Sequence, residues 1–387
     1  MYLPNATSAV TGPVPLLVSV HGGMSCAEYR RAYDNAAAQG AVVIWPQAAG
    51  VVMSEAGNLM TSSWNGDGMC CGPQAMDSYG EIDDVTYLKT VIDTTVALFP
   101  ATSGALSINP RQIYMSGHSM GCMLSQRFLS VHSNYLAAMS CTAHTLGVNA
   151  VTAAASMQAT PVIIVAGAAD TDILLVGRSG TPASSTSPLG IPWGDGYPWD
   201  IVSAQANIGN WASMMGCTSI PSLPSPLPTS GVAEVQGVGC NAGVMVKLIV
   251  AIGCGHEVYA GQSVSTQGDI DAGVQTCTYD TLSMQYAFFS GKSTPADPPF
   301  GTGISMSSIT SYPRPGGGDN TGISTGALVG AIIGGCFVPT LLCILWLSGA
   351  LAKYGCKSPF HKGVTIRDAA VSKGVTMTHS QTATPPA

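Results

Sequence analysis

Charged residues are scarce in this 387-residue chain: they make up 9% of it, against about 25% in a typical soluble protein. Basic residues are the rarer sign, with 14 Lys and Arg against 21 Asp and Glu, which argues against a nucleic-acid partner. The chain also lacks the C-x-x-C pairs and His/Cys clusters that are typical of metal sites, so no metal is predicted. Hydrophobic residues make up 46%, which excludes a disordered chain and allows a large core.

The remaining charge is unevenly distributed along the chain. There are 9 basic and 20 acidic residues up to Asn320, then 5 basic and 1 acidic after Ala352, with no charge in between. The gap contains a mostly apolar run at 326–352, which exceeds the roughly 20 residues that cross a bilayer core. Basic residues follow the run directly, so the positive-inside rule predicts a single-pass membrane protein with a cytoplasmic C-terminus. The larger N-terminal part is then extracellular or lumenal.

Composition predicts four segments: a catalytic domain at 1–290, a Pro/Gly/Ser-rich stalk at 291–324, a transmembrane helix at 325–352 and a basic tail at 353–387. Gly326, Gly330 and Gly334 form overlapping GxxxG steps, which could pack two such helices into a homodimer. Nine Cys residues precede the span, which indicates disulfides in an oxidising compartment. No signal peptide precedes the first apolar run, so we expect either that export needs no signal peptide or that the chain as given lacks its true start.

Short β-rich runs alternate with helical patterns through the first segment. The near-continuous apolar strands predict a mostly parallel sheet with helices on both faces. The predicted strands are 14–20, 41–45, 112–116, 137–140, 161–166 and 244–252. The predicted helices are 26–40, 81–99, 120–131, 201–216 and 279–290, and loops are expected at 46–80, 172–200 and 218–238. Asp83 and Asp84 fit the first turn of a helix, where the macrodipole favours acids.

The strongest local motif is Gly117-His118-Ser119-Met120-Gly121, which follows a predicted strand and opens a predicted helix. A nucleophile elbow needs this context, because the sharp turn exposes the Ser and the flanking glycines avoid clashes. A Ser hydroxyl attacks a carbonyl when a base takes its proton and an acid orients that base. Ser119 is therefore the predicted nucleophile.

The acid and then the base follow such an elbow along the chain. Asp170 and Asp172 come after an apolar strand; Asp170 leaves the strand first and is preferred, with Asp172 in reserve. Candidate bases are His132, His144 and His256. Only His256 follows both the acid and a later strand, so it is the predicted base.

An oxyanion hole needs two backbone N–H groups aimed at the developing negative charge. Met120, directly after the nucleophile, supplies one at a helix N-terminus. The loop after the first strand supplies the other, with Gly23 the preferred donor and Met24 next. Met24 and His118 are also candidate substrate contacts, although His118, like His21, fits a scaffold role.

Six stretches follow the order found in one known esterase family: PLLVSVHGG, SSWNGDGMCCGP, GEIDDVTYLKTVID, INPRQIYMSGHSMGCMLSQRF, PVIIVAGAAD and GCGHEVYAG. Over residues 2–290 the chain resembles the polyhydroxybutyrate depolymerase-like family, which includes feruloyl and acetylxylan esterases of the carbohydrate esterase type. The resemblance implies an α/β-hydrolase fold that lacks its first strand here, and the triad Ser119, Asp170 and His256. It also implies a disulfide between Cys217 and Cys240.

The resemblance leaves the substrate open. Family members usually have HGTAD and GGGH-x-WPG, where this chain has AGAAD and GCGHEVYAG, and these departures alter the mouth of the pocket. Trp64 lies in a stretch that borders the active site in the family, so it either lines the cleft or belongs to the core.

The leading interpretation is an outward-facing, membrane-anchored serine esterase that needs no cofactor. With few basic residues, its substrate is expected to be a neutral ester on a polysaccharide or a polyester. The alternatives are a catalytically silent surface-binding protein on a hydrolase scaffold, and a serine peptidase of the same fold.

Overall fold

The computed structural model describes residues 12–23, 27, 40–48, 50–52, 59–62, 64, 83–99, 106–146, 157–170, 173–177, 201–256, 277, 279–296 and 298–300. The predicted helix at 26–40 lies almost wholly outside these residues, and the predicted span at 325–352, with Gly326, Gly330 and Gly334, lies entirely outside them. Among the helices in the described ranges, none is long and apolar enough to cross a membrane.

Nine strands and four α-helices are formed by the described residues. The strands are β1 (Pro13–Val20), β2 (Val42–Ile44), β3 (Gly50–Val52), β4 (Leu59–Ser62), β5 (Ser107–His118), β6 (Ala138–Thr142), β7 (Val162–Gly167), β8 (Val232–Gln236) and β9 (Val246–Ala251). The helices are α1 (Asp84–Leu98), α2 (Met120–Val131), α3 (Ala204–Met214) and α4 (Thr281–Phe289).

Seven strands form the main sheet, in the order β2-β1-β5-β6-β7-β9-β8. All neighbouring pairs are parallel except β8 with β9, which is antiparallel. One register line crosses the sheet through Val18, Met115, Met139, Val162 and Val246. The carboxyl ends of β1, β5, β6, β7 and β9 therefore lie along one edge, and the loops that leave these strands meet there.

Apolar residues cover both faces of the sheet. Leu16, Val18 and Val20 of β1 belong to a core cluster that includes residues of α1, α2 and α3, whereas Leu17 belongs to a second cluster with Phe288 of α4. The faces alternate because successive side chains of a strand point to opposite sides. Each fully buried Leu or Val contributes about 1.5–3 kcal/mol to folding. The predicted mostly parallel sheet with helices is confirmed.

A buried amide connects two helices with the loop after β6. The Oε1 atom of Gln126 in α2 accepts hydrogen bonds from Asn207 Nδ2 at 2.9 Å and Trp211 Nε1 at 2.8 Å, both in α3. Asn207 Oδ1 in turn accepts the backbone N–H of Leu146 at 3.2 Å. Buried polar groups are costly unless they are paired, so this network fixes α3 against α2.

Helix α1 begins at Asp84, three residues after the predicted start, with the acidic pair at its N-terminus. Asp83 is the N-cap residue, and its Oδ1 accepts the backbone N–H of Thr86 at 3.0 Å. Asp84 follows in the first turn. A carboxylate at this position satisfies a helix N–H group and interacts favourably with the helix dipole.

β5 is longer than predicted, because it begins at Ser107 and includes Pro110. Its pairing with β1 shifts register between Val14, which pairs with Ile108, and Leu16, which pairs with Ile113. The irregularity accommodates a proline that has no N–H to donate within a central strand. For this reason the regular sequence pattern becomes recognisable only after Pro110.

The prediction of loops at 46–80 and 218–238 is wrong in part. β3 and β4 form a separate two-stranded antiparallel sheet within the first stretch, and β8 lies within the second. The residues of β8 alternate between exposed and buried, with Ala233 and Val235 facing the core. Strands of three to five residues are too short for their period to be distinguished from a loop sequence.

The segment after α4 packs on the domain, although it was predicted as the start of the stalk. Arg111, near the amino end of β5, donates from Nε and Nη2 to the carbonyl of Thr294 at 2.9 and 2.6 Å, and from Nη2 to the carbonyl of Pro295 at 2.9 Å. The N–H of Thr294 returns a bond to the Arg111 carbonyl at 2.9 Å. These bonds hold the segment at the edge of the sheet opposite the loop cluster.

Two tyrosines extend this attachment. The hydroxyl of Tyr114 donates to the carbonyl of Lys292 at 2.8 Å, and burial raises the pKa of Tyr114 to about 12, which keeps the hydroxyl protonated. The hydroxyl of Tyr135 donates to the carbonyl of Pro299 at 2.9 Å, and its ring meets Phe300 edge to face at 5.5 Å. The domain therefore extends at least to Phe300.

We expect Arg111→Met to lower the free energy of unfolding by about 2 kcal/mol, because it removes charge-assisted hydrogen bonds to two carbonyls. Lys247→Met is the matched control: Lys247 forms a partly exposed ion pair with Glu234 at 3.0 Å, which is worth less than about 1 kcal/mol. Chemical denaturation followed by tryptophan fluorescence measures both. Equal effects of the two substitutions would contradict the stabilising role of the segment after α4.

Candidate active site

Ser119 lies in a sharp turn between β5 and α2. β5 ends at His118 and α2 begins at Met120, so the turn consists of this one residue. Its backbone has φ 53° and ψ −126°, an unusual conformation for a residue that carries a side chain. This strained turn at the carboxyl edge of the sheet is the geometry expected of a nucleophile elbow.

The two glycines of the motif make the turn possible. A Cβ atom on Gly121 would overlap the Val20 carbonyl and would lie 2.5 Å from the carbonyl oxygen of His21. A Cβ atom on Gly117 would overlap the backbone of Gly121 and would lie 2.7 Å from the Cys122 nitrogen. The backbones of β1, β5 and α2 approach one another so closely that no side chain fits at either position.

The structure brings Ser119, His256 and Asp170 together in one hydrogen-bonded series. His256 Nε2 lies 2.8 Å from Ser119 Oγ, and His256 Nδ1 lies 2.9 Å from Asp170 Oδ2. The other carboxylate oxygen, Oδ1, accepts the backbone N–H of Ile173 at 2.8 Å. The Asp170 side chain is almost fully buried, whereas that of His256 is 24% exposed. Asp172, the reserve acid, lies outside the described residues.

Backbone hydrogen bonds connect the loop after β7, which carries Asp170 (the acid loop, 168–170), with the loop after β9, which carries His256 (the histidine loop, 252–256). The N–H of Ala168 donates to the Ala251 carbonyl, and the N–H of Ala169 donates to the Cys254 carbonyl, both at 2.9 Å. Asp170 directly follows these two residues, and His256 lies two residues after Cys254. The spacing of the acid and the base therefore follows from the parallel pairing of β7 with β9.

The loop after β1 passes beside the nucleophile. A Cβ atom on Gly22 would lie 3.2 Å from the Cβ of Ser119. His21 Nδ1 lies 2.7 Å from the Gly22 carbonyl and donates to it, because Nε2 accepts the N–H of Ala48 at 3.1 Å. In a trans peptide the N–H is opposite the C=O, so the Gly23 N–H points away from the buried His21 ring. Met24 lies outside the described residues.

Trp64 supports this loop from behind. It is 2% exposed, its Nε1 donates to the His21 carbonyl at 2.8 Å, and its ring lies 4.8 Å from that of His21. A side chain that is buried in this way belongs to the core. Trp64 is therefore a core residue and does not line the cleft. The sequence could not separate the two alternatives, because they differ only in which side of the loop the indole occupies.

His118 and Met120 flank the nucleophile on either side. Met120 is the first residue of α2, at the end of the helix where the dipole favours a developing negative charge. His118 is 8% exposed, and its Nε2 lies 2.7 Å from the backbone carbonyl of His256. Its side chain therefore contacts the histidine loop rather than open solvent.

The two other candidate bases do not join Ser119. His132 follows the C-terminal end of α2 and packs on Phe128 and Tyr135, and its pKa is lowered by burial and by the charge of Lys89. His144 is buried and donates from Nδ1 to the Thr145 carbonyl. Burial lowers the pKa of His144 to about 4, so it is neutral at pH 7 and a poor proton acceptor.

Three disulfides are formed within the described residues. Cys217 is joined to Cys240, as the resemblance implied. The pairs Cys122–Cys141 and Cys254–Cys277 were not assigned from sequence. Cys254–Cys277 ties down the histidine loop two residues before His256, and Cys122–Cys141 joins the first turn of α2 to β6. Cys70 and Cys71 lie outside the described residues.

The chain is similar to known proteins in structure rather than in sequence. No protein-family profile and no characterised protein matched the chain by sequence. Among solved structures, esterase PE8 is 13% identical with a TM-score of 0.39, covering 70% of this chain and 94% of its own. Acetyl xylan esterase from Aspergillus awamori is 14% identical with a TM-score of 0.37, covering 70% and 91%. SOBER1 from Arabidopsis thaliana is 12% identical with a TM-score of 0.35, covering 63% and 91%.

Two of these three neighbours are esterases by name. Its own sheet, mostly parallel with helices on both faces, is consistent with an α/β-hydrolase. Within the described residues, no group of three His, Cys, Asp or Glu side chains is placed to hold a metal ion.

We expect Gly121→Ala to cost about 3 kcal/mol or more of stability, because the added methyl group meets backbone carbonyls that cannot move aside. Gly209→Ala in α3 is the control: its Cβ would meet nothing within 4 Å, so the higher helix propensity of Ala should stabilise the protein by about 0.5–1 kcal/mol. Thermal unfolding compares the two, and a stabilised Gly121→Ala variant would contradict the close approach at the elbow.

Proposed function

We propose that the chain is a serine esterase that hydrolyses carboxylic esters through Ser119, His256 and Asp170. The observation that carries this proposal is the hydrogen-bonded series from Asp170 Oδ2 through both ring nitrogens of His256 to Ser119 Oγ. The residues stand in the order that an acyl-transfer triad needs, and the Ser lies at a strained turn. The glycines on either side of the turn, Gly117 and Gly121, leave no space for a methyl group, which a chance contact of three polar side chains would not require.

In the first half of the reaction, Ser119 Oγ attacks the ester carbonyl while His256 Nε2 takes its proton. The carbonyl oxygen becomes an oxyanion, which the N–H groups of Met120 and Gly23 stabilise. The tetrahedral intermediate collapses when the bond to the alcohol oxygen breaks, and His256 returns the proton to that oxygen. The products are a free alcohol and an acyl group on Ser119.

The second half repeats the steps with water as the nucleophile. His256 takes a proton from water, the hydroxide oxygen attacks the acyl carbonyl, and the bond to Ser119 Oγ breaks as the proton returns to Oγ. Asp170 remains ionised and holds His256 Nδ1–H throughout, which stabilises the imidazolium that forms in each half. The carboxylic acid leaves, and the enzyme is restored.

We further propose that the substrate is a neutral ester, such as a feruloyl or acetyl ester on a polysaccharide or a link in a polyhydroxyalkanoate-like polyester. The support is the resemblance of the motifs quoted above to polyhydroxybutyrate depolymerase-like enzymes, together with the low content of basic residues, which disfavours a highly anionic substrate.

We expect Ser119→Ala to lower kcat for short nitrophenyl esters and methyl ferulate by roughly 10⁴-fold or more, and Asp170→Asn by a similar factor. The Asn leaves the shape of the site intact but no longer stabilises the correct tautomer of His256. His132→Gln removes the rejected base and should leave kcat within about twofold. Hydrolysis that survives Ser119→Ala would contradict the proposal, and faster cleavage of peptide nitroanilides than of esters would favour the peptidase alternative.

We also propose that residues 325–352 anchor the enzyme in a membrane with the catalytic domain outside. The support comes from the sequence alone: a charge-free apolar run followed directly by basic residues. Two such helices could pair through the GxxxG steps at Gly326, Gly330 and Gly334.

We expect the full chain, expressed behind a secretion signal, to remain in the membrane fraction after alkaline carbonate washing, because a spanning helix is not displaced by charge. A variant that lacks 325–352 should appear in the medium with its esterase activity intact. An external protease should spare a C-terminal epitope tag in intact cells. Loss of that tag while the domain is spared would overturn the proposed orientation.

A further inference from the structure

We infer that His118 is a positioning residue that holds the catalytic base in place, through a hydrogen bond from its Nε2 to the backbone carbonyl of His256. The inference rests on the serine esterase proposed above and adds a residue that the triad itself does not include. The Nε2 atom lies 2.7 Å from the carbonyl oxygen, and the ring is 8% exposed. Since a carbonyl only accepts, His118 is the donor and carries its proton on Nε2.

Two neighbouring residues thereby hold one residue of a distant loop. Ser119 Oγ contacts the His256 ring at 2.8 Å, and His118 Nε2 contacts the His256 main chain. These bonds join positions that are 137 and 138 residues apart in the chain. The bond to Ser119 orients the imidazole, and the bond from His118 fixes the backbone that carries it. The position of the base relative to the nucleophile is therefore set at both its ring and its main chain.

Two further attachments of the histidine loop lie earlier in the chain than His256. The Ala169–Cys254 hydrogen bond and the Cys254–Cys277 disulfide both act two residues before His256. The bond from His118 acts at His256 itself. The bonds to Asp170 and Ser119 hold the imidazole ring, and the bond from His118 holds the main chain that carries this ring.

The His118 ring also borders the loop after β1, which carries the proposed oxyanion donor Gly23 (the oxyanion loop, 21–23). A Cβ atom on Gly22 would lie 3.2 Å from His118 Nδ1, so the glycine allows the loop to approach this edge of the imidazole. The rings of His118 and His256 lie 5.3 Å apart with an angle of 53° between their planes. His118 therefore borders the oxyanion loop with its Nδ1 edge and bonds the histidine loop through Nε2.

This arrangement predicts an effect on the chemical step rather than on substrate binding. A misplacement of about 1 Å between reacting groups can cost roughly 10²-fold in rate. We expect His118→Phe, which keeps a ring but loses the donor, to lower kcat for nitrophenyl acetate by roughly 10²-fold while KM changes less than about threefold.

Two amide variants isolate the hydrogen bond from the bulk of the ring. The Nε2 of a Gln reaches about as far as the His Nε2, whereas the shorter Asn does not reach the His256 carbonyl. We expect His118→Gln to retain kcat within about tenfold and His118→Asn to fall at least about tenfold below His118→Gln. The control is His132→Phe, because His132 lies at the far end of α2. This substitution should leave kcat and KM unchanged. If His118→Phe does not fold, the Gln and Asn pair decides.

The outcomes separate this inference from the proposed function. Wild-type protein that neither hydrolyses esters nor reacts with a fluorophosphonate at Ser119 would overturn both. An active wild type with undiminished kcat in His118→Asn and His118→Phe would overturn the inference alone. Equal losses of kcat in His118→Gln and His118→Asn would also overturn the inference, since a residue that only packs predicts that result. A rise in KM without a fall in kcat would overturn it as well, since a residue that only binds substrate predicts that result.

Discussion

The close approach of three backbone segments at Ser119 is the constraint on which the candidate site depends. Gly121 lies against the carbonyls of Val20 and His21, and Gly117 lies against Gly121 and Cys122. This contact forces the chain to turn within one residue and gives Ser119 its positive φ. It also brings the first turn of α2 beside the loop that leaves β1, so the same contact that exposes the hydroxyl brings the two proposed oxyanion donors to it.

The parallel sheet supplies the other half of the arrangement. β5, β7 and β9 point the same way, so the loops that carry Ser119, Asp170 and His256 leave at one edge, in chain order. Local bonds then fix each loop: Ile173 holds Asp170, and Cys254 is bonded to both Ala169 and Cys277. A triad that is assembled from three strand ends needs each loop to be held twice, because short loops on a rigid sheet can still rotate about one attachment.

Much of this could be predicted from sequence where the signal is local. α2 starts and ends as predicted, because the elbow fixes its first residue and a clear apolar period follows. The meeting of Ser119, Asp170 and His256 follows from strand order. By contrast, the bond from His118 to His256 spans 138 residues, and no pattern in either segment reports it. The Pro-rich segment after α4 has no apolar period either, since Arg111 binds its carbonyls rather than its side chains.

The attachment of that segment lies far from the candidate site. Thr294 and Pro299 are held at Arg111 and Tyr135, near the amino ends of β5 and β6, whereas the triad lies at the carboxyl ends of the same sheet. Phe300 is the last described residue of this segment, so the attachment lies at the amino edge of the sheet and the triad at its carboxyl edge. The strands of the sheet separate the two, because the parallel strands all run from the one edge to the other. The loops around Ser119 are therefore built without any contribution from the attached segment.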